Sequence, residues 1–394
     1  MLENHDILYF SNDWRADNKT SGHHIADQLK KNNRLFYIEA SGLRAPSAST
    51  HDLGRIFSKI AAFLKGPRKV EENVHVFSPL ILPFHRFSIV KRINEFLLVH
   101  SLRAMCRRFG IHRPILWIVI PHMSVVVGKL DEKLVVYYCV DDFSSLPGVM
   151  AGTIRQYDQY LTKRADLVFT PSMPLYDKKI ALNKNVHLSP HGVDIAHFEK
   201  VLDPDLPTPD DAKNIQRPVI GFFGLIEKWI DLDLIKYIAV KRPDFSILMI
   251  GRVVQDISMF ADVPNVHFLG ARPFGTLPQY ARLFDVAIIP YVLNDQVFNA
   301  NPIKLREYLA TGKPVVSVRN PEIEKFADVV RIADGQEAFL ANIIAALKEH
   351  DPESVQKRRN AVRDSSWDER FKAVSRIVES KLSLISHSEP ANGG

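Results

Sequence analysis

Asn299-Ala-Asn-Pro-Ile-Lys304-Leu-Arg-Glu307-Tyr-Leu-Ala-Thr-Gly312-Lys-Pro-Val-Val-Ser317 reads as a loop, one short helix and a buried strand. Asn301 suits an N-cap, Pro302 fits the first helical position, where a missing N–H costs nothing, and Gly312 ahead of Lys313-Pro314 stops the helix. A helix over 302–311 is predicted. Leu305, Tyr308 and Leu309 form its apolar face, while Lys304 and Glu307 sit three residues apart on a neighbouring face near its start. A helix N-terminus favours anions, a lysine one turn in adds a point charge suited to phosphate, and a carboxylate a turn further on can accept two ribose hydroxyls. Phosphate and ribose together suggest a nucleotide. A solvated ion pair on a surface helix fits the same two residues, so the rest of the chain has to break the tie.

Downstream and upstream of this stretch the pattern is α/β. Pro218-Val-Ile-Gly-Phe-Phe-Gly224 opens a run of short apolar strands (246–250, 266–269, 286–290, 314–318) separated by helical periodicity. Residues 201–217, rich in Pro and Asp, read as the linker between two domains, 1–200 and 218–365. An amphipathic helix over 366–385 and a frayed tail, 386–394, close the chain.

The first half opens as strand, loop, helix, strand around Ile7–Phe10 and Leu35–Ile38. The loop lacks a G-x-G-x-x-G fingerprint, which argues against dinucleotide binding there; Gly22 is its one close-approach glycine, open to a substrate contact or to a helix-start turn. Ile115–Ile120 and Leu134–Val140 read as buried parallel strands ending at His122 and Asp141, and strand ends are where open α/β sheets bind ligands. Asp141-Asp142 fits a catalytic carboxylate or a pair that caps the next turn.

Length sets two domains as the prior for 394 residues, and a hydrophobic content of 46% is that of a globular protein. Cys106 and Cys139 have no metal-ligand spacing, which implies a reducing, cytosolic setting. No signal-peptide progression and no apolar run of spanning length occur in the sequence. The net charge of +6 is uneven: residues 51–113 hold 12 Lys and Arg against 4 Asp and Glu. Two basic amphipathic helices are expected there. The first, over 54–70, would carry Lys59, Lys65, Arg68 and Lys69 around an apolar face. The second, over 87–109, would bury Ile89, Ile93, Phe96, Leu97, Leu98 and Leu102 and expose Arg92 and Arg107. Such helices can lie on an anionic membrane surface, or pack on the first domain's sheet with their cations in water.

Four segments together resemble a GT-B-fold glycosyltransferase of family 4, in its bacterial cell-surface polysaccharide, teichuronic-acid-type branch. They are Tyr137–Phe143, Ala165–Ser172, Pro190–Phe198 and Asn301–Val316. The resemblance implies two Rossmann-like domains facing across a cleft, with a last helix crossing back to the first. It implies a nucleotide-sugar donor on the second domain, with Lys304 on the diphosphate, Glu307 on the ribose and Gly224 at the diphosphate backbone. Lys228, Arg252 and Tyr291 would lie nearby. Gly22 and His191 would fall on the acceptor side, the acceptor being a lipid-linked or polymeric glycan. No metal, cofactor or nucleic acid is implied. Many members carry a glutamate against the donor sugar where this chain has Asn299, and an amide cannot offer charge to an oxocarbenium ion. That departure turns attention to Asp141 as the base of an inverting reaction, with His122 as helper. It also keeps open a weakened subunit that only binds nucleotide sugar or glycan; a nucleotide-sugar epimerase on the same fold is a further alternative. A cytoplasmic protein peripheral to the inner face of the plasma membrane is expected.

Overall fold

The computed structural model describes residues 1–15, 19–40, 63, 65–81 and 88–388. The chain divides into two compact units, Met1–Pro190 with Arg370–Gly394, and His191–Glu369.

In the first unit the strands are β1 (Asp6–Ser11), β2 (Arg34–Glu39), β3 (Arg68–Glu71), β4 (Val74–Phe77), β5 (Ile115–Ile118), β6 (Leu134–Tyr138), β7 (Leu167–Thr170) and β8 (Val186–Leu188), in the order β3-β4-β2-β1-β5-β6-β7-β8. All pair in parallel except β3 with β4. The uninterrupted apolar runs Ile115–Ile118 and Leu134–Tyr138 are buried along their whole length, as strands covered on both faces must be. From β1 the chain builds the sheet outward in one direction, then returns to add β5 to the opposite side of β1 and proceeds the other way. The topological switch point therefore lies between β1 and β5.

The second unit repeats the plan with β9 (Val219–Phe223), β10 (Ser246–Ile250), β11 (Val266–Gly270), β12 (Val286–Ile289), β13 (Val315–Val318) and β14 (Arg331–Ala333), ordered β11-β10-β9-β12-β13-β14. Here the switch point lies between β9 and β12. Gly221, inside β9, has no room for a side chain: a Cβ there would stand 2.0 Å from the Phe284 ring.

Several expectations are corrected. Residues 201–217 are not a free linker. Val201 and Ala212 are buried in the second unit's core, Tyr280 donates to Asp211 at 2.9 Å, and Arg282 donates to the carbonyls of Asp203, Pro204 and Leu206. The chain passes between units at Pro190/His191 instead. Arg68 and Lys69 stand on the edge strand β3, because Gly66 takes a left-handed φ of 66° and ends the preceding segment. Lys65 is exposed just before that turn, and Lys59 lies outside the described residues.

The Ser88–Phe109 helix forms as expected, but with a different face inward. Leu98, Val99, Leu102 and Met105 are buried, whereas Ile89, Ile93 and Phe96 point outward at 69%, 41% and 59% exposure. Apolar residues surround most of the helix's first half, so periodicity alone leaves the inward face undetermined.

Candidate functional site

The second unit's switch point is built from three loops laced into one platform. After β9, Gly224 N donates to Ile250 O at 2.8 Å and Ile226 N to Arg252 O at 3.0 Å. After β12, Asp231 N donates to Pro290 O and Val292 N to Trp229 O, each at 2.8 Å. Gln255 closes the gap from below, its amide donating to Glu227 O at 3.1 Å. Two glycines make this approach possible. Gly224 has a φ of 154°, and a Cβ on Gly251 would collide with Gly224 O at 1.7 Å.

The Ile303–Thr311 helix delivers its first turn to this platform. Lys304 crosses Gly224, its Cε lying 3.3 Å from where a Cβ on that glycine would be, and its ammonium sits 4.8 Å above the Phe223 ring. The same ammonium is 2.7 Å from Glu307, whose side chain is 7% exposed against 24% for Lys304. So the two residues singled out by spacing do form an ion pair, but not a solvated one. Behind them Tyr308 anchors the helix to the strand: Phe223 N donates to its hydroxyl at 2.9 Å. Gly312, left-handed at φ 76°, ends the helix as its sequence requires.

The start of the helix differs from expectation. It begins at Ile303 with Pro302 as N-cap, and no side chain caps it. Asn301 is turned instead into a buried polar cluster, accepting from Arg306 and donating to Glu322 at 3.3 Å. Lys325 donates to both Glu322 oxygens at 2.8 Å. Asn320 caps the Pro321–Glu324 turn and donates to the carbonyls of Val297 and Ala300, which ties down the loop that carries Asn299. Asn299 itself ends the Asp295–Asn299 helix and is buried. Reading the sequence passed over Arg306, Asn320, Glu322 and Phe223. Asn320-Pro321 was a legible cap signal; the pairing of Arg306 with Asn301 had none.

Of the weaker expectations in this unit, Tyr291 is half-buried and forms an antiparallel bridge with Ile230 on the platform. Lys228 and Arg252 are exposed at its rim. His191 is the first residue of the second unit, buried against Trp367 with ring centroids 6.4 Å apart.

In the first unit, Gly22 and His122 follow the two strands that flank the switch point. Gly22 starts the Ser21–Leu29 helix, and a Cβ there would lie 2.9 Å from Ser11 Oγ and 3.5 Å from Val119, so close packing of helix on strand ends requires the glycine. His122 is in the Pro121–Val126 turn after β5, and Asp141 follows β6. Because Ile118 pairs with Tyr137, these two residues stand at equivalent positions beyond neighbouring strands.

Asp141 and Asp142 have separate tasks. Asp142 caps the Phe143–Ser145 turn, accepting from Ser144 Oγ at 2.6 Å, with the Lys178 ammonium 3.6 Å away. Burial acts to raise its carboxyl, but the serine hydrogen bonds and Lys178 outweigh that and hold it below the usual range. The Asp141 carboxylate accepts from Asp142 N at 2.8 Å. Burial pushes its carboxyl up to about 6; the N–H opposes this and the Asp142 carboxylate adds to it. A carboxyl with that value at a strand end can exchange a proton near neutral pH.

Among the described residues no group of three or more His, Cys, Asp or Glu side chains is arranged to hold a metal ion, and no helix is long and apolar enough to cross a membrane.

Residues 217–349, most of the second unit, match the family described as glycosyl transferases group 1. Over 287 residues the chain is 27% identical to a Bacillus subtilis (strain 168) protein named as the teichuronic acid biosynthesis glycosyltransferase TuaH, covering 67% of this chain and 71% of that one. Among solved structures, sucrose-phosphate synthase from Thermosynechococcus elongatus aligns with a TM-score of 0.72 at 12% identity, covering 97% of this chain and all of that one. Anabaena Alr3699/HepE in complex with UDP aligns at 0.64 with 16% identity, over 95% of this chain and 100% of that one. Trehalose 6-phosphate synthase from Burkholderia multivorans aligns at 0.69 with 11% identity over the full length of both. The two parallel-sheet units have the GT-B fold.

Proposed function

We propose that this chain, a glycosyltransferase of GT-B fold, moves a hexosyl group from a nucleoside diphosphate to a lipid-linked or polymeric glycan in cell-surface polysaccharide synthesis, working peripherally at the inner face of the plasma membrane. The observation that carries the donor half is Lys304 lying across Gly224 at the second unit's switch point, with Glu307 bonded to it. A cation in the first turn of a helix is poorly placed with respect to the helix dipole unless an anion joins it. A diphosphate on the platform supplies that anion, meeting the Lys304 ammonium and the uncapped helix start together. Glu307 keeps an oxygen for the ribose hydroxyls. The name of the Bacillus subtilis relative supports the polysaccharide role, and the UDP in the Anabaena structure makes uridine the first base to test.

In the reaction, the bond from the sugar's anomeric carbon to the diphosphate oxygen breaks as the acceptor oxygen bonds to that carbon. Asp141 takes the acceptor hydroxyl's proton, and the configuration inverts. Charge on the departing diphosphate is met by Lys304 and the helix N-terminus, so the step needs no metal ion. Gly22 and His122 line the acceptor side of the first unit, and Lys228, Arg252 and Tyr291 border the nucleoside.

The test is thermal stabilisation of the purified chain by UDP and UDP-sugars. A ligand at a hundred times its Kd stabilises the native state by about 2.7 kcal/mol. Lys304→Ala is expected to remove most of that shift, and Glu307→Gln part of it. If Lys304→Ala is stabilised as fully as the wild type, the donor site lies elsewhere.

Asn299 favours one other reading, a subunit that binds nucleotide sugar without transferring it, since the family's donor-sugar carboxylate is replaced by a buried amide. UDP release in the presence of glycan acceptors separates the two: turnover excludes the binding subunit, and stabilisation by UDP-sugar without release over a broad acceptor set supports it.

A further inference from the structure

The outward side of the Ser88–Phe109 helix has an order that its hydropathy does not show. Ile89, Ile93, Phe96, His100, Arg103 and Arg107 follow one another at steps of four and three, which places them on a single stripe. The stripe changes character halfway. Its first half is apolar and in water, with three large side chains 41% to 69% exposed within eight residues. Single exposed hydrophobics are ordinary on a protein surface, whereas a contiguous set marks a contact. Phe96 and His100, their rings tilted at 34° with centroids 3.8 Å apart, form the junction. The second half is cationic: Arg103 and Arg107 are exposed, and Arg92 flanks the apolar half. Glu95, the helix's one acidic residue, is already paired with Lys129 at 2.5 Å. The opposite side, with Leu98, Leu102 and Met105, is committed to the core of the unit.

We propose that this stripe is a docking surface for an anionic lipid bilayer, with Ile89, Ile93 and Phe96 entering the interface and Arg92, Arg103 and Arg107 on the headgroups. The inference deepens the reading of a membrane-borne acceptor and rests on it. Charge selects this occupant. A second copy of the chain would bring the same arginines face to face, and like charges across an interface oppose association. An anionic interface complements both halves at once, since apolar burial supplies binding and each basic residue near the surface adds to it. The surrounding sequence has the same sign, since residues 51–113 carry an excess of eight positive charges.

Flotation of the full-length protein with phosphatidylcholine vesicles, with and without phosphatidylglycerol, tests this. Wild type is expected to float with the phosphatidylglycerol vesicles and to remain below with neutral ones. Ile89→Ser, Ile93→Ser and Phe96→Ser together should lower partitioning about tenfold or more at low salt. Arg92→Gln, Arg103→Gln and Arg107→Gln together should weaken it and flatten its salt dependence. All six positions are exposed, so both variants should keep the wild-type melting temperature and the full UDP-induced shift. That shift reports the donor site separately, so loss of docking and failure of the donor reading are distinguishable. The proposal is overturned if the serine variant floats like wild type, if wild type binds neither vesicle, or if the stripe instead holds a dimer that the serine variant converts to monomer.

Discussion

At the scale of single residues, the adjacent carboxylates Asp141 and Asp142 are the most informative pair, because one set of backbone and side-chain contacts gives them opposite properties. Asp142 is consumed by its cap and by Lys178, while the half-buried Asp141 carboxylate accepts from the Asp142 N–H. As a base, Asp141 must be ionised, so kcat/KM should rise with pH through an apparent pKa near the value of about 6 that burial gives it. Asp141→Asn should abolish transfer and leave UDP stabilisation intact. The stability consequence has the opposite sign. A carboxyl whose folded pKa is raised stabilises the fold fully below its unfolded value of 3.8, and that contribution is lost as pH rises through about 6. The asparagine variant should therefore be more stable than wild type at pH values well above 6, by about 1–3 kcal/mol, and show no such gain in acid. A urea midpoint measured at both ends of this range checks it. An active Asp141→Asn enzyme would remove the residue from the mechanism.

At the scale of elements, the Ile303–Thr311 helix shows what could be read from sequence and what could not. Its stop at Gly312, its inward Leu305, Tyr308 and Leu309, and the approach of Lys304 and Glu307 follow from spacing and backbone rules that act within a few residues. So do the strands: an unbroken run such as Ile115–Ile118 has few other fates. The helix start was misread because Asn301 has the chemistry of a cap and of a cluster member alike, and its partner Glu322 lies 21 residues away. The same limit governs the Ser88–Phe109 helix, whose inward side is chosen by the sheet it meets. The packing of His191 on Trp367 is a long-range contact of the same kind. The Asn301 cluster makes its own prediction. Glu322→Ala removes the acceptor of the buried Asn301 amide and the ion-pair partner of Lys325. A loss of about 1–3 kcal/mol in stability is expected, as for a buried donor left without its acceptor. Glu322→Gln, which can still accept from Asn301, should lose less. If the cluster positions donor contacts, the glutamine variant should raise the KM for the nucleotide sugar more than it lowers kcat; equal effects on both would make the cluster purely structural.

At the scale of the whole molecule, the two passages of the chain between units decide which half can stand alone. The second unit begins and ends at one place. Val193 N donates to Ser365 O at 2.9 Å, Val193 bridges Ser366, and Gly192 packs so closely on Trp367 that a Cβ would stand 2.7 Å from its ring. The segment His191–Glu369 thus has joined ends, a complete six-stranded sheet and cores on both of its faces. The first unit is incomplete without the far end of the chain. Phe371, Val374 and Val378 of the last helix are buried, and Ser375 accepts from Leu2 N at 2.5 Å. Exposing three such side chains forfeits about 5–8 kcal/mol, which is comparable to the whole stability of a domain. A fragment of residues 191–369 should therefore fold cooperatively by itself, whereas residues 1–190 without the last helix should not. Because Lys304, Glu307 and Gly224 all lie within the second unit, that fragment should also keep the UDP-induced shift of the intact chain. Circular dichroism melts of both fragments, with and without UDP, decide the matter: a folded 191–369 fragment that UDP no longer stabilises would mean that the nucleotide also depends on groups of the first unit.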